Sequence, residues 1–286
     1  MKRVSLLPIL VISFITGFSQ NQENVITVDI GNFKISTLSE VQQKGNSSIL
    51  IDVSAEILAK YAPDGTFPNA INAFLVQIPD KNILVDAGLG TKLIENLQSL
   101  GITPEKIDVV LITHMHGDHI GGMLKDEKLV FENADVYVAQ IEYDYWMDSS
   151  NVRGVLARNV MTAYKDKLHL FTPAEIGTQA DDLISGFKAF AAYGHTPGHT
   201  IFLFESDNSR MLIWGDLTHA MAVQIPYPEI AVTYDVDPKQ AIASRKKVLD
   251  YVVKNKIPIA GMHIAFPAIG DVTADSNTGY KFTPHK

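Results

Sequence analysis

Residues 114 to 119 read His114-Met115-His116-Gly117-Asp118-His119 and follow directly on the apolar run Ile107-Asp108-Val109-Val110-Leu111-Ile112-Thr113. Four potential metal ligands therefore crowd into six positions. A strand ending in a sharp loop aims imidazoles and a carboxylate at one point, and histidine with aspartate is the donor set that suits zinc and its first-row neighbours. Gly117, Gly121 and Gly122 let the backbone fold tightly around an ion and then enter a helix. Three more polar signatures lie at the ends of apolar runs: Gly194-His195-Thr196-Pro197-Gly198-His199, Gly215-Asp216 and Gly261-Met262-His263. The chain has no cysteine, so thiolate ligands and a cysteine nucleophile are excluded and any metal is bound by nitrogen and oxygen.

The elements that must position these residues come in two batches. Ala73–Ile78, the turn Pro79-Asp80-Lys81-Asn82 and Ile83–Val85 read as a hairpin closed by Asp86-Ala87-Gly88. A helix is expected from about Thr91 to Ser99, with Gly101 just past its end. The second batch holds strand-like runs at Phe187–Ala192, Ile201–Phe204 and Met211–Trp214. A helix is expected over Pro238–Lys254, with Pro238 in its first turn and Arg245-Lys246-Lys247 on a solvated face. Between the batches, Tyr143, Tyr145, Trp146 and Met147 read either as a buried helix or as a lid over the site. Two strand-and-helix halves predict an α/β fold of two sheets packed face to face with helices outside.

Length and composition fit one catalytic domain over residues 20–286. Lys2 and Arg3 ahead of the apolar stretch Leu6–Phe18 predict a secretory signal peptide over residues 1–19 and hence a periplasmic or secreted protein. That stretch contains Pro8 and is shorter than the roughly 20 apolar residues that span a bilayer, so stable membrane insertion is not expected after cleavage. Without Lys2 and Arg3 the balance becomes 22 basic against 32 acidic residues, which disfavours nucleic acid as a partner.

In this order, the four signatures resemble the metallo-β-lactamase superfamily of metal-dependent hydrolases, from Asn72 to the C-terminal end. The resemblance implies an αββα sandwich, two mixed β-sheets flanked by helices, with two divalent metal ions, zinc by default, at one edge. It assigns His114, His116 and His195 to one ion, Asp118, His119 and His263 to the other, and Asp216 as the bridge. His195 is the ligand because it opens Gly-His-Thr, and His199 supports the site. Asp86, in Val-Asp-x-Gly, orients a ligand histidine. His169 and His285 fall outside every motif and are read as surface residues.

Two ions sharing a hydroxide supply a nucleophile without serine or cysteine, and Asp118 can pass a proton to the leaving group. Phe67-Pro68-Asn69-Ala70, Gly215-Asp216-Leu217 and His263–Gly270 are similar to the branch containing methyl parathion hydrolase, and lactonases acting on N-acyl homoserine lactones share the metal set. Those lactonases place a tyrosine three residues past the bridging aspartate, where this chain has His219, a second candidate catalytic group that can donate to a substrate carbonyl. The expected function is therefore quorum-quenching lactone hydrolysis. The alternative is a phosphotriesterase or arylesterase, and a β-lactamase, a nuclease, a glutathione-thioester hydrolase and a non-catalytic binder rank below both. Phe67, Tyr143, Trp146, Met147, Met221 and Phe266 are the expected acyl-chain pocket. The branch resemblance also implies a homodimer.

Overall fold

The computed structural model describes residues 19–285, so the expected signal peptide falls, except for Ser19, outside the described residues. Two large mixed sheets face each other. The first runs, in hydrogen-bonded order, Ser19–Gln22, Val25–Ile30, Phe33–Asn46, Thr66–Ile78, Lys81–Val85, Val109–Leu111, Asp135–Ala139 and Leu168–Phe171. The second runs Ala174–Glu175, Phe187–Ala191, Thr200–Ser206, Ser209–Ile213, Ile259–Ala260, Ile269–Ala274 and Tyr280–Pro284. In the first sheet the pairs are antiparallel as far as Lys81–Val85 and parallel beyond it.

Alternation along a strand divides its side chains between two cores. On Thr66–Ile78, Phe74 and Val76 join Phe187, Phe202 and Phe204 between the sheets, whereas Ala73 and Leu75 join Leu93, Leu97, Ile120, Trp146 and Val160. The latter come from helices Leu93–Ser99, Gly117–Ile120, Gln140–Met147 and Val155–Ala163, which cover the first sheet's outer face. The helix Pro238–Asn255 packs Val248, Leu249 and Val252 on the second sheet's core. This is the expected αββα arrangement. Among the described residues, no helix is long and apolar enough to cross a membrane.

Local departures from the expected elements have physical causes. The helix expected at Thr91 begins at Leu93, because Thr91 and Lys92 donate their N–H groups to the buried carboxylate of Glu40. A side chain from a distant strand thus caps a helix that has no cap of its own. The hairpin's first strand also runs well ahead of Ala73, starting at Thr66, because residues Lys34–Asn46 pair with it along its length.

The reading of Arg245-Lys246-Lys247 as a solvated face is corrected at Arg245, which is 1% exposed. Its guanidinium donates to the carbonyls of Leu217, Pro228 and Ile230 and lies 3.9 Å from Asp235. Arg245→Met is expected to destabilise the protein by about 3 kcal/mol, since each buried polar group left unpaired costs about 1–3 kcal/mol. Exposed Lys246→Met is expected to stay within about 0.5 kcal/mol. Urea unfolding of both variants checks the contrast.

Candidate metal centre

Every polar signature leaves the C-terminal end of a strand at the same edge of the sandwich. Val109–Leu111 leads to the His114–His119 loop and Lys81–Val85 to Asp86. Phe187–Ala191, Ser209–Ile213 and Ile259–Ala260 lead to His195, Asp216 and His263. The sheets therefore bring together residues up to 177 positions apart, from Asp86 to His263.

Two ligand sets result. Nε2 of His114 and Nε2 of His195 lie 2.9 and 3.0 Å from Nδ1 of His116, so three ring nitrogens converge on one point. Asp118, His119 and His263 form the second set, with Asp118 Oδ2 3.5 Å from His263 Nε2. Asp216 stands between them: Oδ1 is 3.1 Å from His119 Nε2, and Oδ2 is 3.3 Å from His195 Nε2 and 3.1 Å from His263 Nε2. The convergence of unlinked ring nitrogens around one buried carboxylate is the geometry of a divalent-cation site with nitrogen and oxygen donors. All seven sequence-assigned ligands are in it.

Electrostatics show the strain of assembling these groups. Burial, reinforced by the neighbouring imidazoles, drives His114 well below the usual histidine range and His116 down to about 3. Burial opposes charge on His119, but Asp216, Asp86 and Asp118 outweigh it and raise the imidazole well above its usual range. Burial likewise opposes charge on His195, which Asp216 and Asp235 raise to about 9. Burial also disfavours the charge on Asp216, yet the surrounding histidines hold it well below the carboxylate range.

A further layer fixes ligand orientation. Asp86 accepts from His119 Nδ1 at 2.6 Å and from the N–H and hydroxyl of Thr113. His199 donates Nδ1–H to the Ala192 carbonyl and accepts the Asp216 N–H at Nε2, so it orients the central carboxylate without facing the cation positions. Gly215, with φ +56°, permits this, since a Cβ there would lie 2.6 Å from that Nε2. Asp235, missed in the sequence, accepts from His195 Nδ1 at 3.0 Å. No local motif marks it; it sits in the loop before Pro238 beside Asp237, which merely caps the helix.

His219 lies against the centre, grouped with Asp216 and His263. Its Nε2–H donates to Asp216 Oδ2 at 3.0 Å, its ring stacks on His263 at 4.8 Å, and its Nδ1 is buried without a partner. Burial keeps the ring neutral, with its pKa pushed down to about 4. In this geometry it braces Asp216. His169 is exposed beside Asp135, and His285 is partly covered and bonded to the exposed Asp271.

A cavity of about 690 Å³ opens over the centre, and His116, Asp118, His195, Asp216, His219 and His263 form its floor. Its walls include Phe67, Ile49, Ile71 and Tyr234, together with polar Gln43, Asn69 and Arg153. Of the six residues expected to form an acyl pocket, only Phe67 lines it. Tyr143, Trp146 and Met147 instead pack in the core beneath the helices, with the buried Trp146 ring edge-on to His116 at 5.4 Å. The lid reading of this cluster is thereby corrected: Trp146 backs a ligand from behind.

An αββα sandwich carrying two histidine–aspartate ligand sets at one sheet edge defines a metal-dependent hydrolase. Residues 66–256 match the metallo-beta-lactamase superfamily, and the chain belongs to it. Among solved structures it is similar to the hydrolase AbOPH of the beta lactamase superfamily, at 30% identity and a TM-score of 0.82 over 93% of this chain and 99% of that one. AidC, a dizinc quorum-quenching lactonase solved with a product N-hexanoyl-L-homoserine, shares the fold at 24% identity and a TM-score of 0.80, over 92% of this chain and 98% of that one. Among curated proteins, the exodeoxyribonuclease WalJ of Streptococcus pneumoniae is 45% identical over 53 residues, 18% of this chain and 20% of its own length. The anti-Pycsar protein Apyc1 of a Paenibacillus species is 43% identical over 60 residues, 21% of this chain and 22% of its own. The chain thus spans only about a fifth of the length of these curated relatives.

Proposed function

We infer that this hydrolase opens the lactone ring of N-acyl homoserine lactones at a pair of divalent ions, zinc being the default for its donors. The observation that carries the reading is the cavity over the seven ligands, whose walls combine apolar Phe67, Ile49 and Ile71 with polar Gln43 and Asn69. That mixture suits a small substrate with an acyl tail and an amide. When bound, the ions supply an activated water and polarise the attacked carbonyl. His114, His116 and His195 would hold one ion and Asp118, His119 and His263 the other, with Asp216 facing both. Asp118 is the more exposed of the two ligand carboxylates, at 29%, and lines the cavity, so it is placed to take the proton released by the attacking water and pass it to the leaving alkoxide. A nucleic-acid substrate is disfavoured by the net charge of −8 and by Arg153 being the one lysine or arginine among the lining residues.

The test is the specificity constant of the metal-replete protein for an N-acyl homoserine lactone beside a methyl phosphotriester. The expected result is a lactone value above roughly 10⁴ M⁻¹s⁻¹, a much weaker phosphotriester value, and loss of both after chelation. The reverse order of the two substrates would move the protein to the phosphotriesterase reading. Export and dimerisation belong to the same proposal: N-terminal sequencing of secreted protein should begin near residue 20, and light scattering should give a homodimer.

A further inference from the structure

Glu142 is 1% exposed on the helix Gln140–Met147, and no part of the hydrolytic reading uses it. Its Oε1 accepts the Met115 N–H at 2.9 Å and the Trp146 indole N–H at 2.6 Å. Its Oε2 accepts the Thr196 hydroxyl at 2.7 Å and the Gly198 N–H at 2.9 Å. Met115 lies between His114 and His116, and Thr196 follows His195. One carboxylate therefore fastens both loops that carry the three-histidine set, and through Trp146 it also fixes the ring that backs His116. The approach is close enough to require glycine at 198, where a Cβ would lie 2.3 Å from the Glu142 nitrogen.

We propose that Glu142 is a positioning residue for the metal centre, a clasp that sets the separation of the His114–His116 loop from the His195 loop. The proposal rests on the centre being a metal site. A carboxylate accepts four donors with nothing left over, and no neutral side chain of that shape does so. Glutamine keeps the volume but turns an NH₂ toward two donors, so the loops must part. Supporting groups that orient ligands typically affect metal affinity or activity by about 10–100-fold.

The experiment is chelator competition for Zn(II) on the full protein, run with steady-state kinetics on wild type, Glu142→Gln and Thr196→Val. Expected are a 10–100-fold weaker affinity in Glu142→Gln, a fall in kcat with KM nearly unchanged, and partial recovery of kcat in excess zinc. Thr196→Val, which removes one of the four donors, should shift affinity in the same direction by less, and it serves as the test if Glu142→Gln does not fold. Wild-type zinc affinity and kcat in the folded variants, even with a lowered Tm, would make Glu142 merely structural and overturn the clasp. A wild-type protein that binds no zinc would overturn instead the metal reading beneath it.

Discussion

Asp216→Asn is expected to lower kcat/KM by about 10³-fold or more, roughly 4 kcal/mol of transition-state stabilisation, and to empty both cation positions. The substitution preserves shape and removes only charge. That charge is 2% exposed and faces five imidazoles: His119 at 3.1 Å, His219 at 3.0 Å, His263 at 3.1 Å, His195 at 3.3 Å and His114 at 3.6 Å. It is the one carboxylate among the described residues that touches both ligand sets, so neither set keeps its full charge complement without it. Oδ1 is also buried without a hydrogen-bond partner, as expected for an oxygen that serves a cation. Metal analysis after gel filtration, with near-UV circular dichroism as the folding control, checks the result. Retention of both ions and of activity within tenfold would reduce Asp216 to a packing residue.

The clustered histidines and aspartates were legible in the sequence as candidate ligands because each sits in a short segment at the end of an apolar run, where residue type and local spacing suffice. Their supports were not. Asp235 reaches His195 across 40 positions, and Glu142 reaches Thr196 across 54, so each looks locally like an ordinary loop or helix acid. The same holds for Glu40, which caps a helix 51 residues away, and for Arg245, whose buried partners lie in loops that no periodicity announces. The cavity walls were read from the wrong segment for a related reason. The aromatic density of Tyr143–Met147 marks a core beneath helices, while the walls come largely from Gln43–Asn46, Ile49 and Phe67–Ile71, ahead of the main ligand motifs. Hydrophobic content says that a segment is covered, not by what. The two-sheet architecture was legible because its strands announce themselves one by one.

His116→Ala is expected to lose about 10³-fold in kcat/KM as well, but with one cation position emptied and the other kept. His116 Nδ1 meets only His114 and His195, at 2.9 and 3.0 Å, while Asp118, His119 and His263 keep their mutual contacts and their support from Asp86. The ring lines the open cavity, so its removal leaves a hole that water fills, and unfolding midpoints of the metal-free protein should shift little. The contrast with Asp216→Asn lies in stoichiometry: a loss of one ion against a loss of two. Equal activity losses with unequal metal contents would tie hydrolysis to both positions acting together, because a single ion held by Asp118, His119 and His263 would then be bound and yet insufficient. A His116→Ala protein that binds one ion fewer and still hydrolyses at the wild-type rate would remove the three-histidine set from the chemistry.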